Sequence, residues 1–201
     1  MDRYFKPTAQ QRSELEIKRS RFITTIIPVL DKRSGLLAID VIRQEFPDAN
    51  HHCWAMIAAA PDDVYHQDQS DDGEPKGTAG KPMLNVLSHS GLGNVVVVVT
   101  RYFGGIKLGA GGLVRAYTAA VTTALSQLAT DIQFVRDNRQ MLLPYSQLDT
   151  LQHWLKTTNI AITDKEFTDS IFLNLAVPKS EMPQLEMKAA ELGGKLMSPG
   201  P

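Results

Sequence analysis

The chain has 201 residues, 43% of them hydrophobic and 21% charged, which suits a soluble globular protein of one large or two small domains. A formal net charge of −1 excludes a protein that coats nucleic acid through bulk basicity, so any phosphate contact must be local. A single cysteine, Cys53, excludes an intrachain disulfide.

The first 19 residues read as a polar lead-in with no apolar signal-peptide core, and a cytoplasmic location is expected. Residues 21–30 are β-branched and predict a strand. Residues 31–46 place Leu36, Ile39, Ile42 and Phe46 near helical spacing, with Asp31 or Ser34 as cap and Pro47 beyond the end. Residues 51–60 predict a strand that Pro61 ends, and the turn-rich stretch 61–77 predicts a loop with a short strand near Val64–Gln67.

A short helix is expected over 79–90, with Thr78 as its cap and Met83, Leu84 and Leu87 inward. The run Val95 to Val99 has no polar face, so 95–103 predicts a central strand covered on both sides. Residues 104–112 predict a glycine-rich loop, and 113–129 a helix with Leu113, Val114, Tyr117, Val121, Ala124, Leu125 and Leu128 as its stripe. A second unit is expected from residue 131: strand 132–144, helix 146–158, strands 160–167 and 170–177, helix 180–192. One more strand would complete the β-α-β-β-α-β pattern of a ferredoxin-like domain, and the short tail after Gly194 leaves that strand open.

Charge is sorted along the chain. Residues 62–74 hold six acids and no Lys or Arg, while residues 76–130 hold no acid and five cations: Lys76, Lys81, Arg101, Lys107 and Arg115. The glycines Gly109, Gly111 and Gly112 precede or open the predicted helix, where main-chain N–H groups and the helix start favour an anion. These eight residues are the candidate anion or nucleic-acid site. The bland alternative is a tight turn that packs strand against helix.

No standard nucleotide motif is present. Gly104 to Gly109 has Walker-like spacing but Ala110-Gly111 stands where Lys-Ser/Thr belongs, and Val114 breaks a dinucleotide fingerprint. Gly77-Thr-Ala-Gly80 fits GXXG without the KH surroundings. Asp68 to Glu74 opens like an EF-hand loop and then fails at Pro75 and Ala79. Asp71, Asp72 and Glu74 are therefore only weak catalytic candidates, or weak Mg²⁺ ligands beside a bound phosphate, and otherwise a solvated acidic turn.

In His51-His52-Cys53-Trp54, strand alternation sends His52 and Trp54 to one face and His51 and Cys53 to the other. No partner motif completes a metal site or a nucleophilic pair, so His52 and Trp54, with Tyr102 farther on, are expected to line a pocket. No cofactor, membrane segment or DNA-specific motif is expected, and the residues leave open whether the chain is an enzyme, with a non-enzymatic role favoured.

Four stretches resemble the YigZ/IMPACT family: Ser20 to Ile23, His51 to Ala55, Asp71 to Met83, and Arg101 to Tyr117. The resemblance covers about residues 14–195 and implies an α+β protein of two domains, 1–130 and 131–201. The first would be like the second domain of a small-subunit ribosomal protein, domain IV of elongation factor G and the GHMP kinases. The second would be ferredoxin-like. Eukaryotic members of the resembled family regulate translation initiation, and bind the activator of a stress kinase with an N-terminal domain not expected here. The resemblance brings no settled activity for bacterial members, but with the acid-free segment it points to a cytoplasmic binding protein that contacts RNA or the ribosome and modulates translation, with a protein partner as a further option. A binder or enzyme of phosphorylated small molecules or nucleotides is the alternative, through the kinase likeness.

Overall fold

The computed structural model describes residues 2–198. The chain divides into two compact units, one over Tyr4–Gln133 and one over residues 134–198 with residues 2 and 3. The architecture is α+β. No helix among the described residues is long and apolar enough to cross a membrane.

The first unit is built on a five-stranded sheet of order β2-β3-β6-β4-β5, with every neighbouring pair antiparallel. Its strands are β2 (Gln11–Ile17), β3 (Ser20–Pro28), β4 (His51–Ile57), β5 (Gln67–Ser70) and β6 (Val95–Tyr102). The valine run lies in β6 at the centre, and Val95 to Val99 are all fully buried. Alternation sends Val95, Val97 and Val99 into a core with α2 (Gly80–Ser90) and α3 (Ala110–Leu125), and Val96 and Val98 into a second core beneath α1 (Lys32–Glu45). Each such side chain contributes roughly 1.5–3 kcal/mol by leaving water.

Asp31 starts α1 through a capping box, its carboxylate accepting from Ser34 N at 2.7 Å while Ser34 Oγ accepts from Asp31 N at 3.0 Å. The polar lead-in is corrected by the structure: Arg3–Pro7 is β1, which forms a two-stranded ribbon with β7 (Thr130–Phe134), and β2 pairs in register with β3. β2 is an edge strand whose Leu15 and Ile17 pack on the core while Arg12, Glu14 and Glu16 do not. Its turn, Lys18-Arg19, carries positive φ at both residues (48° and 66°) without a glycine, so the usual hairpin signal is missing.

The second unit holds the sheet β11-β8-β10-β9, entirely antiparallel, from β8 (Arg136–Leu143), β9 (Ala161–Phe167), β10 (Ile171–Pro178) and β11 (Lys195–Met197). The helices α4 (Leu148–Leu155) and α5 (Met182–Glu191) bury Leu151, Leu155, Leu185 and Ala189 with Met141, Leu143 and the Ile171–Val177 stripe. This is the ferredoxin-like arrangement. The closing strand exists and pairs with β8 over three residues. The expected strand 132–144 is two strands, β7 and β8, which belong to different sheets.

Candidate anion-binding site

The two glycine-rich stretches meet at one end of the first sheet. His51, the first residue of β4, pairs with Arg101 near the end of β6. The segment after β5 leads into α2 there, and the segment after β6 leads into α3. Residues from both segments, Glu74 and Pro75 from the first and Lys107, Gly109 and Ala110 from the second, line a hollow of about 370 Å³. His51 and Arg101 from the strands, Asn50 and Phe103 just beyond them, and Leu108 and Leu113 complete its wall.

The acids hold this end of the fold together. Asp71 accepts main-chain hydrogen bonds from Gly77 at 2.7 Å, Ala79 at 3.0 Å and Gly80 at 2.9 Å. Burial pushes its carboxyl up, but these three N–H groups outweigh burial and hold its pKa below the ordinary value. Asp71 therefore fills the start of α2, while the expected cap Thr78 instead donates its hydroxyl to Pro75 O at 2.7 Å. Asp72 accepts from Arg43 Nη2 at 3.0 Å and from His52 N at 2.7 Å.

Glu74 is buried and takes Arg101 Nη1 and, at 2.9 Å, the Tyr117 hydroxyl. Asp71, Asp72 and Glu74 thus turn to different protein partners. No group of three or more His, Cys, Asp or Glu that could hold a metal occurs among the described residues. Cys53 Sγ lies 2.9 Å from Asp71 O and 3.2 Å from Tyr117 Oη. Burial pushes this thiol up to about 12, despite the Tyr117 contact, and burial first of all also raises the Tyr117 hydroxyl.

The five cations do not act alike. Arg101 is only 5% exposed and lies between the rings of Phe22 and Phe103. Its charge faces Glu74 with both side chains nearly out of water, so it is a structural cation with one edge on the hollow. Lys107 is exposed on the hollow's rim. Lys81 lines a different groove, between α2 and α3, with Gly77 and Val114. Arg115 and Lys76 are exposed and line neither. Among the described residues, Lys76, Lys81, Lys107 and Arg115 have no ion pair.

Gly109 is the N-cap of α3 at φ +71°, a conformation that favours glycine, and no side chain caps the helix. Gly111 and Gly112 are the first turn of α3 rather than loop, so the helix starts three residues before the expected 113. Val114, expected inward, is 36% exposed.

His52, Trp54 and Tyr102 do not line the hollow. Alternation along β4 turns His52 and Trp54 toward α1, where His52 Nε2 lies 3.2 Å from Phe46 O and Trp54 packs in the second core. Burial lowers the His52 pKa. Tyr102 lies under the Arg21 guanidinium, whose Cζ is 5.5 Å from the centroid of the Tyr102 ring. The residue sequence reasoning passed over is His51, on the opposite face. Its place opposite Arg101 comes from the strand register, which the sequence does not signal.

Comparison with known families places residues 18–125 in the Impact N-terminal domain family and residues 142–194 in a domain family of unknown function, DUF1949. The chain is 39% identical over 95% of its length to the IMPACT family member YigZ of Escherichia coli (strain K12), covering 94% of that protein. It is 33% identical over 89% of its length to the IMPACT family member YvyE of Bacillus subtilis (strain 168), covering 81% of it. A solved structure described as a hypothetical protein superposes with a TM-score of 0.75 at 37% identity, covering 100% of this chain and 98% of that one.

Proposed function

The chain belongs to the IMPACT family, and from that premise we propose that it is a binding protein of the translation apparatus that contacts RNA phosphates through the helix side of its first unit. The translational setting is the one the family resemblance implies. The observation that carries the contact is the placement of the exposed cations. Lys81 lies on α2 and Arg115 on α3, neighbouring helices over one sheet face, while Lys76 and Lys107 sit in the segments that lead into them. No acid occurs in the chain from residue 76 to 130 to answer them. Cations held apart from acids bind phosphate with displacement of counterions.

Cosedimentation with ribosomes and gel-shift with single-stranded RNA test this reading. Both lysine and arginine contribute, so the double variant Lys107→Glu with Arg115→Glu is expected to lose binding while it melts like the parent. Binding that survives the double change defeats the assignment of this face.

A further inference from the structure

We propose that the hollow lined by Glu74 and His51 binds a guanine base, carried by an unpaired nucleotide of RNA or by a free guanine nucleotide. The inference rests on the RNA reading above and deepens it, from contact with phosphates to recognition of one base.

The first observation is the Glu74 carboxylate. Its side chain is 4% exposed, and the hydrogen bonds it takes from Arg101 Nη1 and the Tyr117 hydroxyl both end on Oε1. Its Oε2 has no hydrogen-bond partner among the described residues, yet it is not closed to water. A nearly buried carboxylate thus keeps one oxygen open beside the hollow that Glu74 lines. Such an oxygen takes a strong hydrogen bond from a ligand N–H.

Two neighbours are oriented by the main chain. His51 Nδ1 lies 2.9 Å from Asp72 O, a carbonyl that only accepts, so Nδ1 carries the proton of the neutral ring. His51 Nε2 is then an acceptor, 4.0 Å from Glu74 Oε1. Asn50 Oδ1 accepts from Phe103 N at 2.7 Å, which orients the amide and leaves Nδ2 as a donor. Both residues line the hollow with Glu74.

The polar wall therefore offers one donor and two acceptors. Guanine presents the complement along its Watson–Crick edge: O6 accepts, while N1–H and the N2 amino group donate. Adenine and cytosine have one amino donor beside a ring nitrogen that accepts, and uracil has one N–H between two carbonyls. Each of these three leaves a polar group of the wall unmet, which costs affinity.

The rest of the hollow suits a flat ring with an anionic tail. Pro75, Leu108 and Leu113 are apolar walls, and Phe103, 45% exposed, offers a ring for stacking. At about 370 Å³ the space falls at the small end of ligand sites. Arg101 answers Glu74, so Lys107 on the rim sets the sign of the site. That charge disfavours an alkylammonium or guanidinium donor and favours a nucleotide, whose phosphate it meets.

Calorimetric titration with the 5′-monophosphates of guanosine, inosine, adenosine, cytidine and uridine tests the site. One short single-stranded RNA with a single guanine, and the same RNA with inosine in its place, test the source. Guanosine monophosphate should bind best, inosine monophosphate, which lacks the N2 amino group, about tenfold more weakly, and the other three about a hundredfold more weakly. Glu74→Gln also breaks the buried pair with Arg101, so the assignment is read from two other variants. Phe103→Ala should weaken guanosine monophosphate about tenfold. His51→Phe keeps a ring and removes the acceptor, and should shrink the preference for guanosine over inosine monophosphate while the protein melts as a folded chain.

A preference for the guanine RNA over the inosine RNA supports the site with RNA as the source. Guanosine monophosphate selectivity with neither RNA bound supports the site and removes the RNA reading. RNA binding without base preference, with guanosine and adenosine monophosphates bound alike, overturns the inference and leaves the RNA reading standing. Guanosine selectivity that survives both variants also overturns it, and so does a failure of all five monophosphates to bind.

Discussion

At the scale of single residues, the site end of the first unit is held by buried polar partners rather than by apolar packing alone. Glu74 and Arg101 have side-chain exposures of 4% and 6%, so removing one strands the other. Glu74→Ala is expected to cost about 3–5 kcal/mol in a denaturant melt, as for other broken buried pairs, and a loss under 1 kcal/mol would show that the pair is wetter than drawn. Cys53 is fully buried with its thiol pushed up to about 12, so almost no thiolate exists at pH 8. A disulfide reagent should leave it untouched in the folded protein and label it at once in denaturant. Asp71 has the opposite behaviour. Its folded pKa lies below its unfolded one, so its contribution is complete above about pH 4 and fades as the pH falls toward the folded value. The protection of the Gly77, Ala79 and Gly80 amides, taken against their intrinsic exchange rate at each pH, should therefore fall below about pH 4, and Asp71→Asn should remove that acid step. An acid step of the same size in the variant would assign it to another carboxyl.

At the scale of elements, the glycines before and within α3 separate into those the backbone demands and one it does not. A Cβ on Gly104 would stand 2.0 Å from the Arg19 carbonyl and 2.5 Å from Ser20 N, main-chain atoms that cannot swing aside. Gly104→Ala should cost roughly 1–3 kcal/mol by forcing the β2–β3 turn off the loop. Gly111 has no positive φ, and its Cβ would meet only the end of the Arg115 side chain, at 3.6 Å. Glycine in a helix is less stable than alanine by roughly 0.5–1 kcal/mol, so Gly111→Ala should raise the melting temperature. If the first turn of α3 meets a phosphate closely, the same change should weaken phosphate binding. A gain in stability with unaltered binding would mean that the ligand stays clear of this turn.

The same glycines show what the sequence could and could not reveal. β6 and α1 were legible because five adjacent valines and a spaced apolar stripe each have one physical solution. The start of α3 was not, because Ala110-Gly111-Gly112 carries loop composition and no capping side chain although it folds as helix. β2 was hidden for a different reason. A half-exposed edge strand needs few apolar residues, and Leu15 and Ile17 are spaced by two among charges. The cation-only segment was visible as a string, but its partition was not. Arg101 meets Glu74, Lys107 meets the hollow and Lys81 meets the helix groove only through the tertiary fold.

At the scale of the whole molecule, near neutrality and local sorting of charge make a specific demand on any RNA complex. A net charge of −1 supplies no long-range attraction, so affinity must come from the few exposed cations of the first unit. Four of them, Lys76, Lys81, Lys107 and Arg115, carry no ion pair among the described residues, and each contact to a single strand contributes about −0.7 to the slope of log affinity against log salt. Engagement of all four gives a slope of about −3, far shallower than that of a basic coat protein. Filter binding across a salt series should return that value for the parent and a slope nearer −1.5 for the Lys107→Glu, Arg115→Glu protein wherever binding is still measurable. A slope near zero would place the affinity in base stacking or protein contact instead. A slope well beyond −3 would bring in cations outside residues 76–130, and with them a second RNA-facing surface.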